Sequence, residues 1–327
     1  MKKFLTLVLA LALICTACVA MADKNLTFKL AENQPEGNPI TDGMYKFAEL
    51  AKEYTNGTVT IDVYPNGALT DEASSVDQLQ LGSLDLSRVN TNSLSSTIDA
   101  FGVFAMPYLF ASTEQKYIAL DGEAGKMVTD TLADYNMVPL HFWEAGARCF
   151  YTTKTPIRGV EDLKGMKIRV PNNSLQVKGM AATGAVPTPM SLGEVYTALQ
   201  QGTIDGLENP LTVLYNGAYQ EVCKYLILDH HILDYTCWVC GTDFFNTLTP
   251  EQQQILIDAG NEAGVYNNAM LEETTNKALE DLKAAGVEVV EFDRDSFVAA
   301  CESFYADPDI QAMWSEGLID QVKEIIK

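Results

Sequence analysis

Val76-Asp77-Gln78-Leu79-Gln80-Leu81-Gly82-Ser83-Leu84-Asp85 and Tyr196-Thr197-Ala198-Leu199-Gln200-Gln201-Gly202-Thr203-Ile204-Asp205 share one layout. In each, a helix runs into a glycine that can take a positive φ, then into a small hydroxyl residue and the start of an apolar strand. The likeness extends upstream. A strand at 26–31, a helix at 40–54 and a strand at 59–64 precede the first copy, and a strand at 166–170, a helix at 174–182 and a strand at 185–187 precede the second. Both halves therefore read β-α-β-α-β, the pattern of parallel strands with right-handed crossovers and helices on both faces. The expectation is an α/β chain of two lobes.

Helix starts agree with this frame. Ser191-Leu192-Gly193-Glu194 is a capping box, in which the hydroxyl serves an orphan N–H and the glutamate reaches back. Thr249-Pro250-Glu251-Gln252 adds proline at the first helical position. From Pro250 a helical pattern runs to Ala285, broken only by Gly260 and Gly264. At 1.5 Å per residue it extends about 54 Å, long enough to run along both lobes as a spine, with the two glycines as expected kink points.

Lys2 and Lys3, the apolar run Phe4 to Ile14 and Ala20-Met21-Ala22 together have the form of a secretory signal over residues 1–22. An alternative processing site is a lipid anchor at Cys18, where Cys15 stands in place of the usual Leu, Val or Ile. An exported chain is expected. Of the 327 residues, 44 are Asp or Glu and 22 are Lys or Arg, for a formal charge of −22. That balance excludes a nucleic-acid partner, because phosphate recognition needs a surplus of cations. Five cysteines follow the signal, an odd number, so at least one thiol is free or paired between molecules. Cys237-Trp238-Val239-Cys240 has redox spacing, but it lies in an apolar, β-prone stretch with no helix N-terminus to depress a thiol pKa. Buried structural thiols are expected there.

Open α/β sheets bind ligands beyond the carboxyl ends of their strands. That rule points to Glu32-Asn33, Asn90-Thr91-Asn92, Arg169 to Asn173 and Glu208-Asn209-Pro210, with Arg148 beside a further β-prone stretch. Two arginines at one crevice suit a carboxylate, since a guanidinium donates two parallel charge-assisted hydrogen bonds. No catalytic residues, metal ligands or cofactor are assigned. His141, His230 and His231 are the only histidines, and HExxH, GxSxG, GxGxxG and P-loop spacings are missing from the sequence.

The stretches Tyr151-Thr152-Thr153-Lys154-Thr155-Pro156-Ile157-Arg158, Glu161 to Pro171, Pro187-Thr188-Pro189-Met190, Glu194 to Gly202 and Asp205 to Pro210 resemble the DctP-type substrate-binding proteins of tripartite ATP-independent periplasmic (TRAP) transporters. Tyr64-Pro65-Asn66-Gly67, Gly82 to Asp85 and Met106-Pro107-Tyr108 extend the resemblance to nearly the whole chain after the signal. It implies a two-lobed periplasmic-binding-protein fold, each lobe a mostly parallel sheet, joined by hinge strands and a long spine helix. Lobe I would comprise 23–146 plus 235–274 and lobe II 147–234 plus 275–327. It implies a receptor, not an enzyme, that captures a small organic acid at the outer face of the cytoplasmic membrane or in the periplasm and delivers it to TRAP membrane permease subunits. A monomer is expected.

By motif position the resemblance makes Arg169 the main bidentate contact of the ligand carboxylate, Arg148 a second arginine and Asn209 an asparagine closing from the same lobe. Asn172 matches a frequent ligand contact. Glu32, Glu72 and Asn90 fall where members vary with their ligand and would read its hydroxyls. Leu86-Ser87-Arg88-Val89 with Phe150-Tyr151 is similar to members that bind hexuronates and related sugar acids. Leu192 stands where some relatives place Phe or Tyr beside the ligand.

Overall fold

The structure is a computed structural model describing residues 25–314 and 318–325. The signal at 1–22 and the Cys18 anchor lie outside these residues. Nine strands form one sheet: β1 Leu26–Ala31, β2 Val59–Tyr64, β3 Leu86–Asn90, β4 Met137–Thr152, β5 Lys167–Val170, β6 Val186–Pro189, β7 Gly206–Pro210, β8 Tyr225–Gly241 and β9 Glu288–Val289. Their order is β2-β1-β3-β8-β4-β7-β5-β6, with β9 beside β8.

The repeat legible in the sequence is the symmetry of this sheet. β2-β1-β3 are mutually parallel, and so are β6-β5-β7, with the first strand of each unit in the middle. Gly82 and Gly202 adopt φ of +67° and +68°, so both turns are closed in the left-handed conformation that glycine alone takes freely. The aspartate ending each copy does the same work twice. Asp85 Oδ2 accepts the Lys29 N–H at 2.8 Å, and Asp205 Oδ2 accepts the Lys167 N–H at 2.8 Å, each tying the new strand to the central one.

Between the two units run β4 and β8, of 16 and 17 residues, paired antiparallel and spanning both halves. Their register slips between Glu144 and Gly146, opposite Asp234, and Gly146 takes φ of +99°. A bulge of this kind bends the ladder, and it falls where the sheet passes from one unit to the other. Cys237 and Cys240 on β8 point into different cores, as alternation along a strand requires, and all five described cysteines are buried and free.

Helix Pro250–Ala284 is the spine. Leu256, Ala259 and Ala263 pack into a core of the first half with Phe47, Trp143 and Trp238, whereas Ala278 and Leu282 pack into a core of the second half with Leu199, Leu207 and Leu226. Its glycines serve packing. A Cβ on Gly264 would lie 2.6 Å from Nε1 of Trp143, and that same indole N–H donates to the Gly260 carbonyl at 3.0 Å. Gly43 on helix Pro39–Tyr54 presses on the ring from the other side, at 2.6 Å for its own virtual Cβ. The closing helix, Leu318–Ile325, places Leu318 and Val322 in the core of the first half with Leu120 and Val128. Residues 318–325 thus pack on the first half, whereas the sequence reading placed them in the second with the rest of 275–327.

Candidate ligand cleft

The carboxyl ends of β3, β5 and β7 open on a cleft of about 530 Å³ walled by both halves, within the size range of small-molecule sites. Glu72, Arg88, Asn90 and Asn92 line it from the first half, and Arg148, Arg169, Asn172, Leu192 and Asn209 from the second.

Three of these are arginines, each at most 3% exposed, and they differ in what faces them. Arg88 is held by Glu32, which accepts from Nε at 2.9 Å and Nη2 at 2.5 Å, by Glu72, which accepts from Nη1 at 2.7 Å, and by Asn33 Oδ1. Burial opposes its charge, but the two carboxylates prevail and hold its pKa above the ordinary arginine value. Arg148 is held by Glu208 through Nε and Nη2, the latter at 2.8 Å, by the Glu208 carbonyl at 3.0 Å and by Asp234 through Nη1 at 2.6 Å. Its pKa too is raised, with burial again opposing and Glu208 and Asp234 winning.

Arg169 is different. Nε and Nη2 both donate to the Met190 carbonyl, at 3.1 and 2.8 Å, and no carboxylate among the described residues pairs with it. Burial, with the like charge of Arg148 adding to it and that of Glu208 opposing, pulls its pKa down to about 10. A guanidinium has five N–H donors, so three of its hydrogens have no acceptor among the described residues. An anion entering the cleft meets a buried cation with donors to spare.

The other expected residues separate by geometry. Asn209 lines the cleft at 6% exposure, and its amide makes no hydrogen bond within the described chain. Asn172 is exposed at the wall. Asn90 is partly committed, with Nδ2 donating to Asp234 at 2.8 Å and Oδ1 accepting from the Asn92 N–H at 2.9 Å. Glu72 lines the cleft while accepting from Arg88, from the Asn90 N–H at 2.7 Å and from Ser93 at 3.1 Å. Glu32 is not part of the cleft wall. It is 1% exposed, with both oxygens on Arg88 and one also accepting the Gln34 N–H at 2.6 Å. Arg148, expected as the second arginine at the ligand, retains one Nη1 hydrogen after serving Glu208 and Asp234.

Sequence reasoning gave no role to Arg88, Asp234 or His231. The available signal was a charged or polar residue interrupting an apolar strand. His231 is buried, with Nδ1 2.8 Å from Asp229 and Nε2 3.2 Å from Glu208, and its ring stacks on Phe150 at 4.9 Å. Burial disfavours its charge, yet Asp229 and Glu208 raise its pKa to about 9. Tyr108 donates to the same Asp229 oxygen at 3.0 Å, so a continuous polar chain runs from Arg148 through Glu208, His231 and Asp229 to Tyr108. His230 points away, exposed, with φ of +48°.

Residues 30–311 match the family model "Bacterial extracellular solute-binding protein, family 7". The C4-dicarboxylate-binding periplasmic protein DctP of Rhodobacter capsulatus is 32% identical over 86% of this chain and 84% of its own. A TRAP periplasmic solute-binding protein from Roseobacter denitrificans, solved with β-D-glucuronate, superposes with a TM-score of 0.86 at 30% identity, covering 92% of this chain and 99% of that one. One from Actinobacillus succinogenes, solved with L-galactonate, gives 0.86 at 35% identity with the same coverage. With the two-lobed sheet, the spine helix and the cleft in place, the chain belongs to the family 7 bacterial extracellular solute-binding proteins, the DctP type.

Proposed function

We propose that this protein is the extracytoplasmic binding subunit of a TRAP transporter and that its ligand is a hydroxylated monocarboxylic acid of the hexuronate or aldonate kind. The observation that carries the ligand reading is Arg169, a buried guanidinium with donors left over and no carboxylate of its own. The ligand carboxylate binds there as a fork-to-fork pair. Asn209 adds its uncommitted amide, and Arg148 adds its one remaining hydrogen. Asn172 closes the wall at the mouth.

Hydroxyl recognition falls to Glu72 and Asn90 on the opposite wall. Glu72 lines that wall, and Glu32 lies behind it; against the single cation Arg88 the two carboxylates leave this side of the cleft one formal negative charge in excess. A second carboxylate there is repelled, which disfavours the C4-dicarboxylates named for the Rhodobacter capsulatus relative. The glucuronate and L-galactonate of the two solved neighbours carry hydroxyls in place of that second carboxylate. The described lobes are assigned as 25–146 plus 235–274 and 147–234 plus 275–314, with 318–325 returned to lobe I and closure about the Gly146–Asp234 bulge. Delivery is to the transporter's membrane permease subunits. The chain does no chemistry on its ligand, so an acid recovered after long incubation is unchanged by chromatography.

A thermal-shift screen against uronates, aldonates, C4-dicarboxylates and keto acids tests the reading, because a ligand that binds only the folded state raises the melting midpoint by mass action. Shifts are expected for uronates or aldonates and not for succinate or malate. The reverse order sinks the sugar-acid assignment.

A further inference from the structure

Four residues past Arg169, Asn173 makes two kinds of contact at once. Its Oδ1 accepts the Gln176 N–H at 2.8 Å and so caps helix Ser174–Ala182. Its Nδ2 crosses to the other half of the molecule, where it donates to the Asn92 carbonyl and lies 2.9 and 3.0 Å from Oγ of Ser95 and Ser96. Ser96 Oγ in turn donates to the Asn172 carbonyl at 3.4 Å. Asn173 is 3% exposed, sealed between the segment that follows β3 and the segment that follows β5. A residue with only a capping role needs one acceptor atom. The donor end of this amide is surplus to that role and is spent wholly on the opposite half.

We propose that Asn173 is a positioning residue for ligand capture, a latch whose Nδ2 bonds form only when the lobes are closed. The inference rests on the reading of the cleft as an acid-binding site that closes. Because Arg169 and Asn173 belong to one short segment, the strand end that holds the carboxylate and the latch move together. A bond made only in the closed form shifts the open–closed equilibrium and tightens every ligand by the same factor. A side chain that touches ligand tightens ligands unequally, according to the groups it meets. That difference separates a latch from a further contact.

Asn173→Ser keeps an oxygen suited to the N-cap position but is too short to cross to the other half. Measured on the full chain by calorimetry and stopped flow with D-glucuronate, D-galacturonate and L-galactonate, it is expected to bind each acid about tenfold more weakly. The loss appears as faster dissociation. Ser95→Ala combined with Ser96→Ala approaches the same bonds from the other side with the cap untouched, and is expected to weaken all three about threefold. Unchanged affinity in both variants, or a loss confined to one acid, overturns the latch. If the wild-type chain binds none of the acids, the reading of the cleft fails separately. A spin-label distance distribution between helices Pro39–Tyr54 and Leu192–Gln200 in ligand-free protein then decides the latch: the short-distance, closed population of the wild type falls in Asn173→Ser if the latch holds, and an unchanged distribution overturns it.

Discussion

Arg88, Arg148 and Arg169 are one residue type at one cleft, separated in role by the carboxylates around them. Arg88 has two within reach, Arg148 has two and Arg169 has none. The first two hold the walls together. Replacing Arg88 with Met leaves Glu32 buried beside a hydrocarbon, and the cost is expected to be about 3–5 kcal/mol, as for breaking a buried pair from one side. A urea titration of wild type and variant measures it, and a loss under 1 kcal/mol would contradict the pairing. His231 makes a prediction in pH. Its pKa is raised from 6.5 to about 9, so its charge stabilises the fold fully below about 6.5, and that contribution disappears as pH rises through about 9. The upper bound is about 3 kcal/mol. Lys116, buried with its pKa lowered to about 7, gives a slope of opposite sign across part of the same window. The informative quantity is therefore the stability difference between wild type and His231→Gln at pH 6 and at pH 9.5, which is expected to shrink as pH rises. A constant difference would mean that His231 is not charged in the fold.

The elements were the most legible part of this chain. Two copies of helix, glycine, hydroxyl residue, strand and aspartate gave the two parallel units directly, because a turn that needs positive φ restricts its sequence to glycine. What the aspartates do was not legible, since their N–H partners lie 56 and 38 residues away. The spine was read to within a residue of its end, whereas the seat that its two glycines make for Trp143 was not read, because that contact depends on tertiary packing. Gly264→Ala gains about 1 kcal/mol of helix propensity and meets the indole at 2.6 Å. Overpacking of this kind costs about 1–3 kcal/mol, so a net destabilisation is expected. Gly179→Ala, in helix Ser174–Ala182, is the control. Its nearest neighbour is a Phe304 ring carbon at 3.7 Å, an ordinary contact, and a gain of about 0.5–1 kcal/mol is expected. Denaturant midpoints of the two variants should move in opposite directions.

Taken whole, the molecule carries a formal charge of −22 and yet keeps in its cleft a buried guanidinium, Arg169, with no carboxylate paired to it among the described residues. The two facts are compatible, because exposed charges more than about 8–10 Å away are screened by salt while a fixed donor fork inside a cleft is not. Several positions that line the cleft, Asn90, Arg169, Asn172 and Asn209 among them, could be named from the sequence, since the order β-α-β-α-β dictates which residues follow strand ends; Glu72 came only from the family resemblance, and Glu32 lies behind the wall. Which of them keep free hydrogen-bonding capacity could not be named in this way. Arg88 and Glu32 are 56 residues apart, and Arg148 and Glu208 60 apart, so their mutual saturation appears only once the strands are side by side. That pairing leaves Arg169 as the open donor. The most direct test is calorimetry of wild type and Arg169→Ala against D-glucuronate. We predict measurable binding by wild type and a loss of about 2–5 kcal/mol in the variant, with equal affinity in both proteins as the result that would contradict the account.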